Sequence, residues 1–217
     1  MVCQGKPPLA FWGVGMAEIR TVAPAVPAIA NPAALGLGGF ALTTFVLSTH
    51  NVFPNQAPDL TWLGLAFFYG GLAQFAAGMW EFKAGNTFGA TAFSTYGAFW
   101  ASLATFILLA LNGHIPAGDT LKDLGWFVLA FAIFNTYMLI LSARTNMSVF
   151  LVFLTLEVTE ILLFIGYFNG NGAGQGLVTL GGWVGILTAL VAWYGSAAVV
   201  ANSQRAKPVL PVGGPLW

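Results

Sequence analysis

Six long apolar stretches, joined by short connections, limit the folds that are open to this 217-residue chain. About 20 apolar residues cross the hydrocarbon core of a bilayer as a helix, and each stretch is near that length. A helix suits that core because it satisfies its own backbone amides. The sequence therefore predicts an all-α, integral membrane bundle of six transmembrane helices, at Pro32–Thr49, Leu60–Trp80, Ser94–Leu111, Leu124–Ser142, Ser148–Phe168 and Leu177–Ala201.

The shortage of charge supports the same conclusion. Only 6% of the residues are charged and 58% are hydrophobic, whereas soluble domains carry about 25% charged residues. The chain therefore lacks the polar surface that a soluble globule needs, and the lipid bilayer is its expected surrounding. A formal net charge of +0 gives no basic patch for nucleic acid, so nucleic acid is not an expected partner.

The basic residues predict how the bundle is oriented. With six crossings, the connections place all but one of the seven lysines and arginines on one side of the membrane. Because basic residues are enriched in cytoplasmic segments, both termini are predicted to be cytoplasmic. The residues on that side are Lys6, Arg20, Lys83, Arg144, Arg205 and Lys207, and Lys122 lies on the other.

The chain divides into a membrane part and two tails. Residues 1–30 hold an apolar stretch that prolines and charged residues interrupt, so we expect an uncleaved cytoplasmic or interfacial tail rather than a removed signal. Residues 31–202 form the predicted six-helix membrane domain, and residues 203–217 form a cytoplasmic C-terminal tail.

The sequence offers no constellation for a metal, a cofactor or catalysis. The two histidines, His50 and His114, fall in predicted connections, and the single cysteine, Cys3, has no neighbouring ligand pattern. No nucleophile and base are placed together at any depth of the predicted bundle. We therefore expect no metal, no cofactor and no enzymatic activity.

Two carboxyl groups lie near the middle of the fifth predicted span. A charged residue at a helix centre costs roughly 2.5–3.5 kcal/mol on insertion scales. At 100° per residue, Glu157 and Glu160 share one helix face with Leu156. Two interpretations stay open: a proton-accepting site beside a conduction path, or a protonated pair that bonds to neighbouring helices or subunits.

The first span opens with "NPAALGL", a pattern typical of a helix start. Asn31 suits the N-cap, and Pro32 suits the first turn, where its missing N–H is not needed. The free N–H groups of such a turn can receive an anion such as a carboxylate. On the predicted orientation, this turn lies at the cytoplasmic mouth of the bundle.

Several segments together resemble the acetate uptake transporter family, which includes bacterial succinate–acetate permeases and fungal acetate and ammonia-export proteins. They are "NPAALGLGGFALTT", "HNV", "FYGGLAQFAAGMWEFKAGNTFGATAFSTYGAFW" and "GYFNGN", in order along residues 31–202. The family signature reads N-P-A-P-L-G-L, so Ala34 replaces its second proline. The cap and the first-turn proline are retained.

The resemblance implies an architecture and a set of site residues. The expected assembly is a homohexamer in which each protomer has a hydrophobic constriction, here Phe40, Tyr96 and Leu156. The substrate-binding candidates are Asn31, Pro32, Leu35, Gly36, Thr43 and Thr44, of which the last three share the helix face of Phe40. From the residues themselves, rather than from the resemblance, the proton-coupling candidates are Glu160 and Glu157, and Glu160 departs from the apolar or hydroxylated residue of bacterial relatives.

The resemblance also implies a function. We expect a multi-pass protein of the plasma membrane that transports acetate and similar short carboxylates, with succinate as a further candidate, coupled to protons. Two alternatives stay open: a passive channel for acetate or ammonia, and a non-transporting membrane sensor.

Overall fold

The computed structural model describes residues 29–56 and 60–217, and nearly all of the predicted N-terminal tail lies outside these residues. The described chain contains six helices that are long and apolar enough to cross a membrane, which confirms the predicted number. They are α1 (Ala33–Val52), α2 (Thr61–Ala84), α3 (Thr87–Leu111), α4 (Thr120–Ser142), α5 (Met147–Phe168) and α6 (Gly176–Ser203).

The predicted start of the third span is wrong by seven residues. The segment before Ser94 belongs to α3, which begins at Thr87. Asn86 caps this helix by accepting a hydrogen bond from the Gly89 N–H at 3.0 Å, and Gly85 ends α2 in a left-handed conformation with a φ of 76°. Because glycine adopts positive φ without a steric penalty, two residues suffice to join the helices.

Helix α2 is interrupted by a π-helical segment, Phe68–Ala73. Such segments widen a helix locally and shift the side chains that follow. Here the widened turn lets the Tyr69 carbonyl approach α1 closely: a Cβ added to Gly39 would lie 2.6 Å from that oxygen. The glycine therefore permits close packing of α1 on α2.

Small residues of α6 bring it close to α1 and α5. A Cβ added to Gly182 would lie 2.9 Å from the Ser48 carbonyl oxygen of α1, and one added to Gly181 would lie 3.0 Å from the Leu163 side chain of α5. Such contacts are typical of helix pairs in lipid, where small residues let backbones approach. Helices α1, α5 and α6 thus form one closely packed side of the bundle.

Helices α3 and α4 are bridged by aromatic rings rather than by close backbones. The centroids of Phe99 on α3 and Phe131 on α4 lie 4.8 Å apart, and Phe99 also stacks on Phe127 at 5.2 Å. Bulky rings hold the two axes apart. Aromatic rings therefore fill the space between α3 and α4.

The C-terminal residues fold back onto the bundle. Asn202 Oδ1 accepts hydrogen bonds from the N–H groups of Val209 and Leu210. The Val212 carbonyl accepts one from the Ser148 N–H at 2.9 Å, at the start of α5. We call residues 209–216 the C-terminal strap. The end of the bundle that carries this strap also carries Lys83, Arg144 and Arg205, and we call it the basic end.

Candidate functional site

A cavity of about 210 Å³ runs from the basic end into the middle of the bundle. Residues at the ends of α1, α3 and α5 form its mouth together with the strap residue Val212. Deeper residues of the same helices, with Gln74 of α2 and Gly195 of α6, form its walls. On α1, α3 and α5 its deepest lining residues are Phe40, Tyr96 and Leu156.

The structure brings together the three residues that are predicted to form the constriction. Their exposed fractions are 4%, 3% and 6%, and all three belong to one apolar cluster. The Phe40 and Tyr96 rings meet edge to face, with centroids 5.7 Å apart. No lining residue of α1, α3 or α5 lies beyond them toward the opposite end of the membrane. The cavity therefore ends at a plug of two rings and a branched side chain.

The six binding candidates on and before α1 divide into one that lines the cavity and five that do not. Asn31 lines the mouth, and its Oδ1 accepts a hydrogen bond from the Ala33 N–H at 3.0 Å. The helix begins at Ala33, so Pro32 lies just before it rather than inside its first turn. The five candidates outside the lining are Pro32, Leu35, Gly36, Thr43 and Thr44.

Three of these five have other surroundings in the bundle. Leu35 is 45% exposed on the outer surface of α1. Gly36 lies against the ring of Phe93, and Thr43 packs against Gly70 of α2, where an added Cβ would lie 2.7 Å from the Thr43 hydroxyl. Helix-face reasoning groups Gly36 and Thr43 with Phe40, but neighbouring helices decide which residues reach the cavity.

The two mid-membrane carboxyl groups lie behind the constriction rather than in the cavity lining. Glu160 is 3% exposed, and its Oε1 lies 3.4 Å from the Tyr96 hydroxyl oxygen. Glu157 points toward α4, where its Oε2 accepts a 2.6 Å hydrogen bond from the Asn135 side chain. Its Oε1 lies 2.8 Å from the hydroxyl of Thr136, a residue on the outer face of the protomer.

Asn135 connects the two carboxyl groups and was missed by sequence reasoning. Its Oδ1 accepts a 2.9 Å hydrogen bond from Tyr96, while its Nδ2 bonds to Glu157 and to the Phe153 carbonyl. The available signal was a single amide in a mostly apolar span, directly before Thr136. An amide side chain at mid-membrane needs a partner, just as the glutamates do.

Two further polar residues in the lining were also missed. Gln74 is 1% exposed and Ser148 is 6% exposed. The Gln74 Oε1 and the Ser148 hydroxyl are buried without a hydrogen-bond partner. Because buried polar atoms are normally paired, they are available to a solute in the cavity.

The described lining is polar in places but carries no lysine, arginine, aspartate or glutamate. Amide and hydroxyl groups can hold a small solute there, whereas a bare anion would gain no salt bridge for the water it sheds. Among the described residues, no group of three or more histidine, cysteine or acidic side chains is placed to hold a metal ion.

Six membrane-competent helices around a narrow cavity that ends at a mid-membrane plug define the class of membrane channels and transporters. Within that class the family is clear. The sequence profile of the GPR1/FUN34/yaaH family matches residues 15–213, and the chain belongs to that family. The resemblance proposed from sequence motifs is thereby confirmed, and the chain is a transport protein rather than an enzyme.

Curated relatives include fungal and bacterial proteins. The chain is 42% identical to acetate permease A of Emericella nidulans in an alignment of 205 positions that covers 87% of this chain and 67% of that protein. It is 38% identical to the succinate-acetate/proton symporter SatP of Escherichia coli over 85% of this chain and 96% of SatP. It is 39% identical to ammonia transport outward protein 2 of Saccharomyces cerevisiae, covering 85% of this chain and 66% of that protein.

A solved structure has the same fold. The structure of the bacterial acetate channel SatP superposes with a TM-score of 0.79 at 38% sequence identity, covering 85% of this chain and 99% of that one. The six-helix arrangement is therefore that of a known membrane transport protein. The chain spans nearly all of SatP and about two thirds of the fungal relatives named above.

Proposed function

We propose that this protein carries acetate and similar short carboxylates across the plasma membrane, with succinate as a second substrate, and that it couples this movement to protons. The observation that carries the proposal is the cavity of about 210 Å³ that ends at Phe40, Tyr96 and Leu156. Relatives named for acetate and for succinate-acetate/proton symport support the substrate class.

The uncharged lining favours entry of the acid with a proton. A carboxylate that leaves water without meeting a cation pays a desolvation cost of several kcal/mol. Transfer as the neutral acid avoids that cost at the apolar constriction. Glu160 lies within 3.4 Å of the constriction residue Tyr96 and is the proton-coupling group of the proposal, with Glu157 as its neighbour.

Orientation and assembly are also part of the proposal. The basic end carries Lys83, Arg144, Arg205 and Lys207, so we place it and both termini in the cytoplasm. We further propose a homohexamer. The hydrogen bond between Thr136 and Glu157 places polar atoms on the outer face of the bundle. Contact of these atoms with lipid is unfavourable, whereas contact with a neighbouring copy can satisfy them.

A passive channel is the second candidate. The related solved structure is described as an acetate channel, and one relative is named for outward ammonia transport. A channel and a symporter need the same lined path, so the two differ only in coupling. Uphill uptake driven by a pH gradient separates them.

The test is uptake of labelled acetate and succinate into proteoliposomes with internal pH recorded. The symporter proposal predicts saturable acetate uptake that an inward proton gradient drives uphill, together with acetate-driven proton entry. The Glu160→Gln variant should reduce the coupled proton entry at least severalfold. Native mass spectrometry of the same preparation should give a hexamer.

Each outcome bears on a separate part of the proposal. Acetate flux without saturation or uphill movement would favour the channel, and flux equal to that of empty vesicles would contradict transport itself. Coupled proton entry unchanged in Glu160→Gln would assign that residue a packing role. A monomeric particle with intact transport would contradict the assembly alone.

A further inference from the structure

A buried chain of hydrogen bonds links the constriction to the two mid-membrane carboxyl groups. Tyr96, whose ring forms part of the constriction, contacts Asn135 at 2.9 Å and Glu160 at 3.4 Å. Asn135 in turn contacts Glu157 at 2.6 Å. Tyr96, Asn135 and Glu160 are each at most 3% exposed, so water does not supply alternative partners.

The backbone determines which way the Asn135 amide points. The Phe153 carbonyl lies 3.0 Å from the Asn135 side chain, and a carbonyl only accepts. The atom that faces it must therefore be Nδ2, the donor. That orientation turns Oδ1, which only accepts, toward Tyr96.

The Tyr96 hydroxyl has one hydrogen and two neighbouring oxygens, those of Asn135 and Glu160. Because Asn135 Oδ1 has no hydrogen to give, Tyr96 donates its own along the 2.9 Å contact. The Tyr96 oxygen is left with lone pairs toward Glu160. A Glu160 carboxylate would oppose those lone pairs, whereas a neutral Glu160 acid can donate its hydrogen to them.

The other oxygen of Glu160 favours the same protonation state. Glu160 Oε2 is buried without a hydrogen-bond partner, which is costly for a charged carboxylate. Glu157 is placed differently, since it accepts the short bond from Asn135 and lies beside the Thr136 hydroxyl. Two carboxyl groups in unlike surroundings take unlike roles.

We infer that Asn135 is a positioning residue for proton coupling: it takes the Tyr96 hydrogen, which leaves the proton of the pair on Glu160, and its amide donates to Glu157. Its consequence for flux rests on the transport function proposed above. The group behind the constriction is then the neutral acid of Glu160. An entering carboxyl group therefore meets no fixed negative charge beside Tyr96.

Few other titratable groups lie close enough to Glu160 to take up its proton. Tyr96 faces it from α3, and Glu157 lies on its own helix. On α4, Asn135 approaches through Tyr96, Tyr137 is the one titratable residue at that depth, and Lys122 and Asp123 lie in the first turn. Helix α6 packs on the other side, and its single titratable residue, Tyr194, bonds to the Pro211 carbonyl of the strap.

Infrared spectroscopy of the purified protein in lipid tests the position of the proton without any transport measurement. The band is the carbonyl stretch of a protonated carboxylic acid. At neutral pH it should be weaker in Glu160→Gln than in the unchanged protein and undiminished in Glu157→Gln. Loss of the band in Glu157→Gln with retention in Glu160→Gln would overturn the assignment.

The role of Asn135 is tested in the Glu157→Gln background, where Glu160 is the remaining acid of the pair. Replacing Asn135 with leucine frees the Tyr96 hydrogen for Glu160 and stabilises the charged carboxylate. The protonated-acid band should therefore be weaker in the double variant than in Glu157→Gln at the same pH. An equally strong band in the two proteins would overturn the positioning role.

Two further variants keep this test interpretable. Met138→Leu, a volume-conserving change one turn along α4, is the matched control and should leave the band at the strength seen in Glu157→Gln. Asn135→Ala adds no bulk, replaces the leucine variant if that protein does not fold, and should weaken the band in the same way. If uptake fails while these spectra behave as expected, the transport proposal is wrong and the proton assignment is retained.

Discussion

At the scale of single residues, the constriction depends on how completely three side chains fill the middle of the bundle. Phe40 contacts both Tyr96 and Trp100 with its ring, at centroid distances of 5.7 and 6.5 Å. It is 4% exposed and lies at the inner limit of the cavity. Removing its ring both widens the path and leaves unfilled space.

Phe40→Ala is therefore expected to raise acetate flux and to lower thermal stability. Truncating a buried phenylalanine costs about 3–5 kcal/mol in soluble cores, so the melting temperature in detergent should fall measurably. Flux in proteoliposomes is the second readout. Phe82→Ala, at a ring that is 59% exposed, is the control and should change neither quantity. Unchanged flux in Phe40→Ala would remove this side chain from the constriction.

At the scale of helices, glycines decide how closely α2 approaches α3. A Cβ added to Gly97 would lie 2.7 Å from the backbone nitrogen of Phe75 and 2.8 Å from its Cα. Backbone atoms cannot rotate away as a flexible side chain can. The contact between α2 and α3 positions Gln74 and Tyr96 in the cavity wall.

Gly97→Ala should push α2 and α3 apart and destabilise the protein by about 1–3 kcal/mol, the usual cost of overpacking. Gly64→Ala is the matched control, because no atom lies within 4 Å of its added Cβ. Alanine is the better helix former, so this control should be neutral or slightly stabilising. Thermal unfolding in detergent compares the two, and equal melting temperatures would contradict the close contact.

At the scale of the whole molecule, the C-terminal strap connects α6 to the start of α5 across the basic end. The Asn202 side chain holds its first residues by three hydrogen bonds: it donates one to the Leu210 carbonyl and accepts one each from the N–H groups of Val209 and Leu210. Val212 reaches the cavity lining, and the Leu216 N–H bonds to the Ala143 carbonyl between α4 and α5. The strap thus joins the mouth of the cavity to three helices.

Asn202→Ala should release the strap and expose it to protease sooner than in the unchanged protein, because each lost bond leaves a backbone group without its partner. The rate of limited proteolysis within residues 204–217, followed by mass spectrometry, measures this. Ser203→Ala removes only a local bond to the Val200 carbonyl and serves as the control. Equal cleavage rates in both variants would show that Asn202 does not retain the strap.

The sequence by itself determined the number of membrane-competent helices, the family, and the start of α1 to within one residue, because hydrophobic length, motifs and local turns are properties of neighbouring residues. It did not place the start of α3: Asn86 is a suitable local cap, but the seven residues that follow it resemble the glycine-containing connection before them. Only the tertiary structure brought Tyr96, Asn135 and Glu160 together, from three helices and separations of 39 and 64 residues. Helix periodicity tells which residues share a face, but packing of other helices decides what that face meets.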